Sequence, residues 1–139
     1  MAQEDPHAQV SPLIFDTDIL VWVQRGHLGA AEFVNRVAPK ERNLSAITYL
    51  ELLYGARDGN DLKNVQRMVA DLFADVIPIS ERISASAVRV MELFVLAHRP
   101  ELSDAVIAAT ALDRQEALAT ANRKHFHFIP GLKVRAFRP

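Results

Sequence analysis

The stretch Leu13-Ile14-Phe15 runs straight into Asp16-Thr17-Asp18. An apolar run of this kind reads as a buried strand of an α/β protein, and such proteins bind ligands just beyond the carboxyl ends of their strands. A carboxylate there can hold a cation or attack a phosphate. Two more acids stand in comparable settings. Glu51 lies among Leu50, Leu52 and Leu53, and Asp104 follows Ser103 at the head of the apolar run Ala105 to Leu112. Placing Asp16, Glu51 and Asp104 at one end of a sheet has an electrostatic cost. Two unit charges ~4 Å apart repel by ~4 kcal/mol at an effective dielectric of about 20. The cluster is tolerable if protons or a cation are taken up. An all-oxygen ligand set suits Mg²⁺ or Mn²⁺. Hard divalent ions held by several acids serve phosphodiester hydrolysis.

Each acid also has a purely structural reading. Asp16 suits a helix N-cap where a strand hands over to a helix. Asp18 would fall in the first helical turn, where the dipole favours a negative charge, and that reading accounts for it best. Thr48 and Glu51 have the spacing of a capping box. Asp104 is again an acid at a helix start.

Alternating strands and helices must position these groups. Leu13 to Phe15 is a first strand, and Ile19 to Gln24 a helix ending near Gly26. Helical spacing covers Ala30 to Val37, closed by Pro39. A short strand centres on Leu44. The next helix carries Leu50, Leu53 and Tyr54 on one stripe and stops within Gly55 to Gly59, and Leu62 to Phe73 is another. Val76 to Ile79 is a strand that Pro78 assigns to a sheet edge. Ser80 and Glu81 open a long helix to about His98, and Ser103 is a natural N-cap for a helix through Asp113. Ala117 to Thr120 is a fourth strand, and a last one is expected within Phe126 to Val134, around the Pro130-Gly131 turn. This alternation argues for a parallel sheet covered on both faces.

The 139 residues, half of them hydrophobic and 24% charged, fit one ordinary globular domain. With no cysteine, thiol nucleophiles, disulfides and zinc-thiolate sites are excluded, which fits a reducing cytoplasm. The polar residues 1–12 read as a flexible N-terminal tail without the marks of a signal peptide, and 13–139 as the single domain. Charges interrupt every apolar run, so no membrane span is expected. The net charge is −1, but beyond Asp113 six Lys and Arg residues face only Glu116. A solvated surface is the simpler reading of that basic end, and contact with phosphates the sharper one.

Taken in order, several segments resemble the PIN-domain ribonucleases and, among them, the VapC-type toxins of toxin–antitoxin pairs. They are Phe15 to Leu20, Ser45 to Arg57, Leu102 to Leu112, Ala119 to Phe126 and Ile129 to Leu132. The resemblance implies a three-layer α/β/α domain with a central parallel sheet of four or five strands. It implies that Asp16, Glu51 and Asp104 are metal-binding acids and that Thr17 joins their pocket. Asn122 stands where the family often has a fourth acid, and would assist without adding charge. His125 reads as a ring beside Phe126. An endoribonuclease is therefore expected, using Mg²⁺ or Mn²⁺, blocked by a cognate antitoxin and paired as a homodimer. The helices at Ala30 to Val37 and Leu62 to Phe73 would offer the dimer surface, though core packing explains their stripes equally well. Arg57, Arg123 and Lys124, near the site motifs, are candidate contacts to the RNA backbone.

Two alternatives remain. A haloacid-dehalogenase-type phosphatase would use Asp16 as nucleophile, Asp18 as general acid and Ser45 as a phosphate-binding hydroxyl. The Gly-Thr that usually follows its acidic pair is missing. The other alternative is a catalytically weak RNA-binding module on the same fold, supported only by Asn122.

Overall fold

Residues 11–139 are described by a computed structural model. The expected tail therefore lies, except for Ser11 and Pro12, outside the described residues. In β1 (Leu13–Phe15), Leu13 and Phe15 point to one face and Ile14 to the other, as the twofold period of a strand requires. All three are buried, so both faces must be covered.

On one face lie α1 (Thr17–Gln24), α2 (Leu28–Asn35), α3 (Ala46–Tyr54) and α4 (Gly59–Leu72). Ile19, Val34, Leu52 and Val69 pack there with Leu13 and Phe15. On the other lie α5 (Glu81–His98) and α6 (Leu102–Arg114), where Ile83, Val90, Ile107 and Ala108 pack with Ile14. Between them, β1 is joined by β2 (Arg42–Ser45), β3 (Asp75–Ile77), β4 (Ala117–Thr120) and β5 (Val134–Ala136) in one parallel sheet ordered β3-β2-β1-β4-β5. This is the expected three-layer PIN-like α/β/α architecture with five strands. Pro78 follows β3, which is indeed an edge strand.

The chain steps outward from β1 through β2 to β3, then crosses back to add β4 on the opposite side of β1. The gap between β1 and β4 is therefore the point where the winding reverses, and a crevice opens there at the carboxyl ends of the strands.

Several boundaries differ from expectation for local reasons. His27 caps α2, its Nδ1 accepting from Ala30 N at 3.0 Å, so that helix starts before its apolar stripe. Asp58 caps α4 at Gly59 in the same way. Ser103 is not an N-cap: α6 begins one residue earlier, and Ser103 falls within its first turn. The last strand lies later than expected. Phe126 and Ile129 are buried against the α6 face from a turning backbone; of the expected span Val134 alone reaches register with β4, and Arg135 and Ala136 continue the strand. The stripes of α2 and α4 are taken by the core through Ala30, Val34, Val65 and Val69, which favours core packing as their explanation. Among the described residues no helix is long and apolar enough to cross a membrane.

Candidate active site

Asp16 sits at the end of β1, its backbone N–H tied to Ala119 O of β4 at 2.8 Å. Its Oδ1 accepts from Thr17 N at 2.8 Å, so the capping reading holds. The other oxygen turns into the β1–β4 crevice and accepts from the Thr120 hydroxyl at 2.7 Å. Thr120, fully buried, in turn accepts from Asn122 N at 2.9 Å, which folds the chain after β4 back over the site.

Glu51 does not form a capping box. Ser45 caps α3, accepting from Ile47 N at 3.2 Å, and Thr48 and Glu51 lie inside the helix. Glu51 Oε1 instead accepts from the Thr17 hydroxyl at 2.7 Å, tying α3 to the start of α1. Thr17 has one hydroxyl proton. With that proton given to Glu51, the buried Thr48 hydroxyl, 3.1 Å away, is free to donate back to Thr17.

Asp104 lies in the first turn of α6, and its Oδ2 meets His125 Nδ1 at 3.1 Å. His125 is thus more than a ring beside Phe126. Asp104 also lines a pocket of about 180 Å³ with Lys124, His125 and Phe128. A larger cleft of about 860 Å³ runs past Thr17 and Glu51 to Arg57 and Asp61. Arg57 pairs with Asp61 at 3.5 Å from a highly exposed position. Arg123 is exposed on the short helical turn that follows Asn122.

The acids feel one another's charge. Burial, above all, with the charges of Asp18 and Asp104, pushes the Asp16 carboxyl up to about 8 against the hydrogen bonds from Thr120 and Thr17. Asp104 is pushed up to about 6, chiefly by burial and also by Glu101 and Glu51, while His125 pulls the other way. Asp16 thus feels the charge of Asp104, and Asp104 that of Glu51.

Asp18 is the residue that sequence reasoning set aside. It does lie in the first turn of α1, but its carboxylate spans the crevice. Its Oδ2 accepts from Asn122 Nδ2 at 2.8 Å and from Ala121 N at 3.1 Å. Its Oδ1 is buried without a hydrogen-bond partner, and burial raises its pKa. The only available signal was the i, i+2 spacing from Asp16, which a capping acid explains as well.

A divalent cation fits this donor set by chemistry, since every candidate ligand is a hard oxygen. The orphaned Asp18 oxygen supports the same fit, because buried polar atoms normally have partners. Each acid is also held by protein donors, and among the described residues no three His, Asp or Glu side chains close into a ready ligand cage. Ser45 is fully buried, with its hydroxyl on Ile47 N and 3.4 Å from that of Thr110, so it is not available to a phosphate as the phosphatase alternative requires.

Residues 13–130 match the family profile described as the PIN domain. A search of curated proteins finds no significant match. Among solved structures, the chain is similar to one in a toxin–antitoxin complex from Klebsiella pneumoniae, at 30% identity and a TM-score of 0.75 over 91% of this chain and 99% of that one. It shares its fold with a chain of VapBC-1 from nontypeable Haemophilus influenzae, at 24% identity, TM-score 0.72, 89% and 96% coverage. The same holds for a chain of DNA-bound VapBC from Salmonella typhimurium, at 19%, 0.74, 91% and 98%.

Proposed function

This chain belongs to the PIN-domain family, and on that premise we propose that it is the toxin of a toxin–antitoxin pair, a metal-dependent endoribonuclease. One observation carries the reading. Asp16 feels the charge of Asp104 and Asp104 that of Glu51, and among the described residues no Lys or Arg forms a salt bridge to any of the three.

In this reading Asp16, Glu51 and Asp104 hold Mg²⁺ or Mn²⁺, with Asn122 assisting. The bound ion supplies an activated water and neutralises charge gathering on the phosphate. Water adds to phosphorus, the ester bond to the leaving sugar oxygen breaks, and that oxygen takes up a proton. The chain's own residues prepare this step. Thr120 and Thr17 N fix the Asp16 carboxylate, and the Thr17 hydroxyl orients Glu51. Lys124, on the pocket wall beside Asp104, contacts the RNA backbone, and Arg57 and Arg123 do so on either side. Phe128, stacked on His98 with ring centroids 4.0 Å apart, gives unpaired bases an aromatic surface near the cut.

A cognate antitoxin would cover the cleft beside Glu51. A second copy would pair through apolar side chains that the core leaves over, among them Tyr54 and Leu96, each more than nine-tenths exposed. Expression of the chain alone should block translation and arrest growth, and Asp104→Asn should relieve the arrest while the protein stays folded. The purified chain should cut single-stranded RNA with Mg²⁺ or Mn²⁺ and stop with EDTA. RNA bound but never cut, over long incubation with either metal, would point to the binding module instead. Lys124→Ala should weaken RNA binding and flatten its salt dependence, and an unchanged slope would remove Lys124 from the interface.

A further inference from the structure

We propose that Asp18 is a fourth carboxylate of the metal site, and that Asn122 is a positioning residue that holds it there rather than a ligand. The inference rests on the metal-dependent reading above and deepens it.

The placement follows from the start of α1. Asp16 caps that helix and Asp18 is its second residue, so both carboxylates leave the backbone within one turn, at the β1–β4 crevice. The Asp18 carboxylate is gripped on one side only. Oδ2 takes the Asn122 side-chain amide at 2.8 Å and Ala121 N at 3.1 Å, with the Thr120 hydroxyl 3.5 Å away. Oδ1 is wholly buried and receives no hydrogen bond. A surface capping acid would turn such an oxygen to water. The Thr120 hydroxyl lies 2.7 Å from Asp16 Oδ2 and 3.5 Å from Asp18 Oδ2, so the two carboxylates stand about one group rather than on separate faces. A buried, unpartnered anionic oxygen beside a second carboxylate is matched by a cation or by a proton shared between the two, and a metal-affinity measurement separates them.

Asn122 has the complementary role. Its Nδ2 donates to Asp18 and leaves only its Oδ1 to meet a cation, so holding the carboxylate is the role its observed contact supports. Carboxylate and amide face each other across the crevice, one from α1 and one from the turn after β4. Exchanging them should keep the charge within the site, now offered from the turn after β4.

The test reads Mn²⁺ affinity directly, by the free Mn²⁺ spin-resonance signal, without RNA. Asp18→Asn keeps an oxygen for Ala121 N, and its fold is checked by circular dichroism and melting. It should weaken Mn²⁺ binding by about tenfold or more. The double variant Asp18→Asn/Asn122→Asp should recover most of that loss. Binding by Asp18→Asn equal to wild type would overturn the inference, even if wild type cuts RNA. Loss in Asp18→Asn without recovery in the exchange would overturn the assigned role of Asn122. Asp18-dependent Mn²⁺ binding in a protein that cuts no RNA would leave the inference standing and remove the nuclease reading. No Mn²⁺ binding by wild type would overturn both.

Discussion

The two edges of the sheet bury acids to the same degree and treat them in opposite ways. At the amino-terminal edge Glu116 is 9% exposed, and at the carboxyl-terminal edge Asp16 is 5% exposed. Glu116 accepts from Asn43 Nδ2 at 2.6 Å and from Arg114 Nε at 2.9 Å, and Arg114 reaches on to Asp75 at 3.7 Å. Nearby, the buried Arg42 guanidinium donates to Val37 O and Leu72 O. Every charge there has an opposite charge or a dipole to meet it. Asp16 has only a hydroxyl and a backbone N–H, with the charges of Asp18 and Asp104 beside it. The fold can therefore compensate a buried carboxylate and at the crevice does not. An uncompensated cluster stores a demand for positive charge, and that separates a working site from a structural one.

The sharpest way to break this contrast is to remove one acid from each edge. On the proposed metal-dependent reading, Asp16→Asn should lower RNA cleavage by about a hundredfold or more, since it would remove a metal-holding charge. Measured above about pH 8, where the Asp16 carboxyl is ionised, its melting temperature should stay level or rise, because a repelling buried charge has gone and Thr17 N and the Thr120 hydroxyl keep an acceptor. Glu116→Ala should do the reverse. It leaves Asn43 and Arg114 without their acceptor and should cost about 1–3 kcal/mol in urea unfolding, with cleavage by the folded fraction unchanged. If Asp16→Asn unfolds the protein, or if Glu116→Ala abolishes cleavage, the division between the edges is wrong.

The pH dependence of stability sharpens the contrast further. Asp16 and Asp104 titrate at about 8 and about 6 in the folded chain, against 3.8 for an ordinary Asp. Between these values the folded state holds protons that the unfolded state has released, so stability falls as pH rises. In EDTA the melting temperature should drop from pH 4 to pH 8, and Asp16→Asn should make that slope shallower. Added Mn²⁺ competes with the protons, so its stabilising effect should grow towards pH 8. A metal-free protein that gains stability across that interval would contradict the picture of uncompensated acids.

The carboxyl-terminal edge was more legible in the sequence than its mirror. The place of Asp16 was readable because a strand end and a helix start coincide there, and that of Asp104 because it heads an apolar helix. Pro78 marked its edge strand for a local steric reason. Contacts that depend on which strands become neighbours were hidden. Asn43 and Glu116 meet across 73 residues. Asp18 does lie in the first turn, as read, but its crevice contacts were hidden, because only the placement of β4 beside β1 brings Asn122 to it. Thr48 and Glu51 have capping-box spacing, but Ser45 takes the cap, so a correct local pattern lay one turn too deep in the helix. The late β5 reflects the same limit, since Phe126 and Ile129 supply core contacts without extended backbone.

The smallest expected effect concerns how the crevice holds an acid with a neutral partner. Glu51 has no cation beside it among the described residues, and its hydrogen bond from the protein is the Thr17 hydroxyl at 2.7 Å. If Glu51 is a ligand, that bond selects the orientation in which it can serve. Thr17→Val keeps the branched shape and removes the donor. It should cost about 1 kcal/mol, the net worth of one hydrogen bond, or roughly fivefold in cleavage rate, with melting little changed. Thr17→Ser restores the hydroxyl and should restore the rate. The paired test matters because Thr17 also touches Thr48 at the α1–α3 contact. A packing role would lower stability in the Ser variant and spare it in the Val variant, the opposite order. Equal rates in wild type, Val and Ser would mean that Glu51 is oriented by whatever it binds, and that the crevice prepares only Asp16, Asp18 and Asp104 in advance.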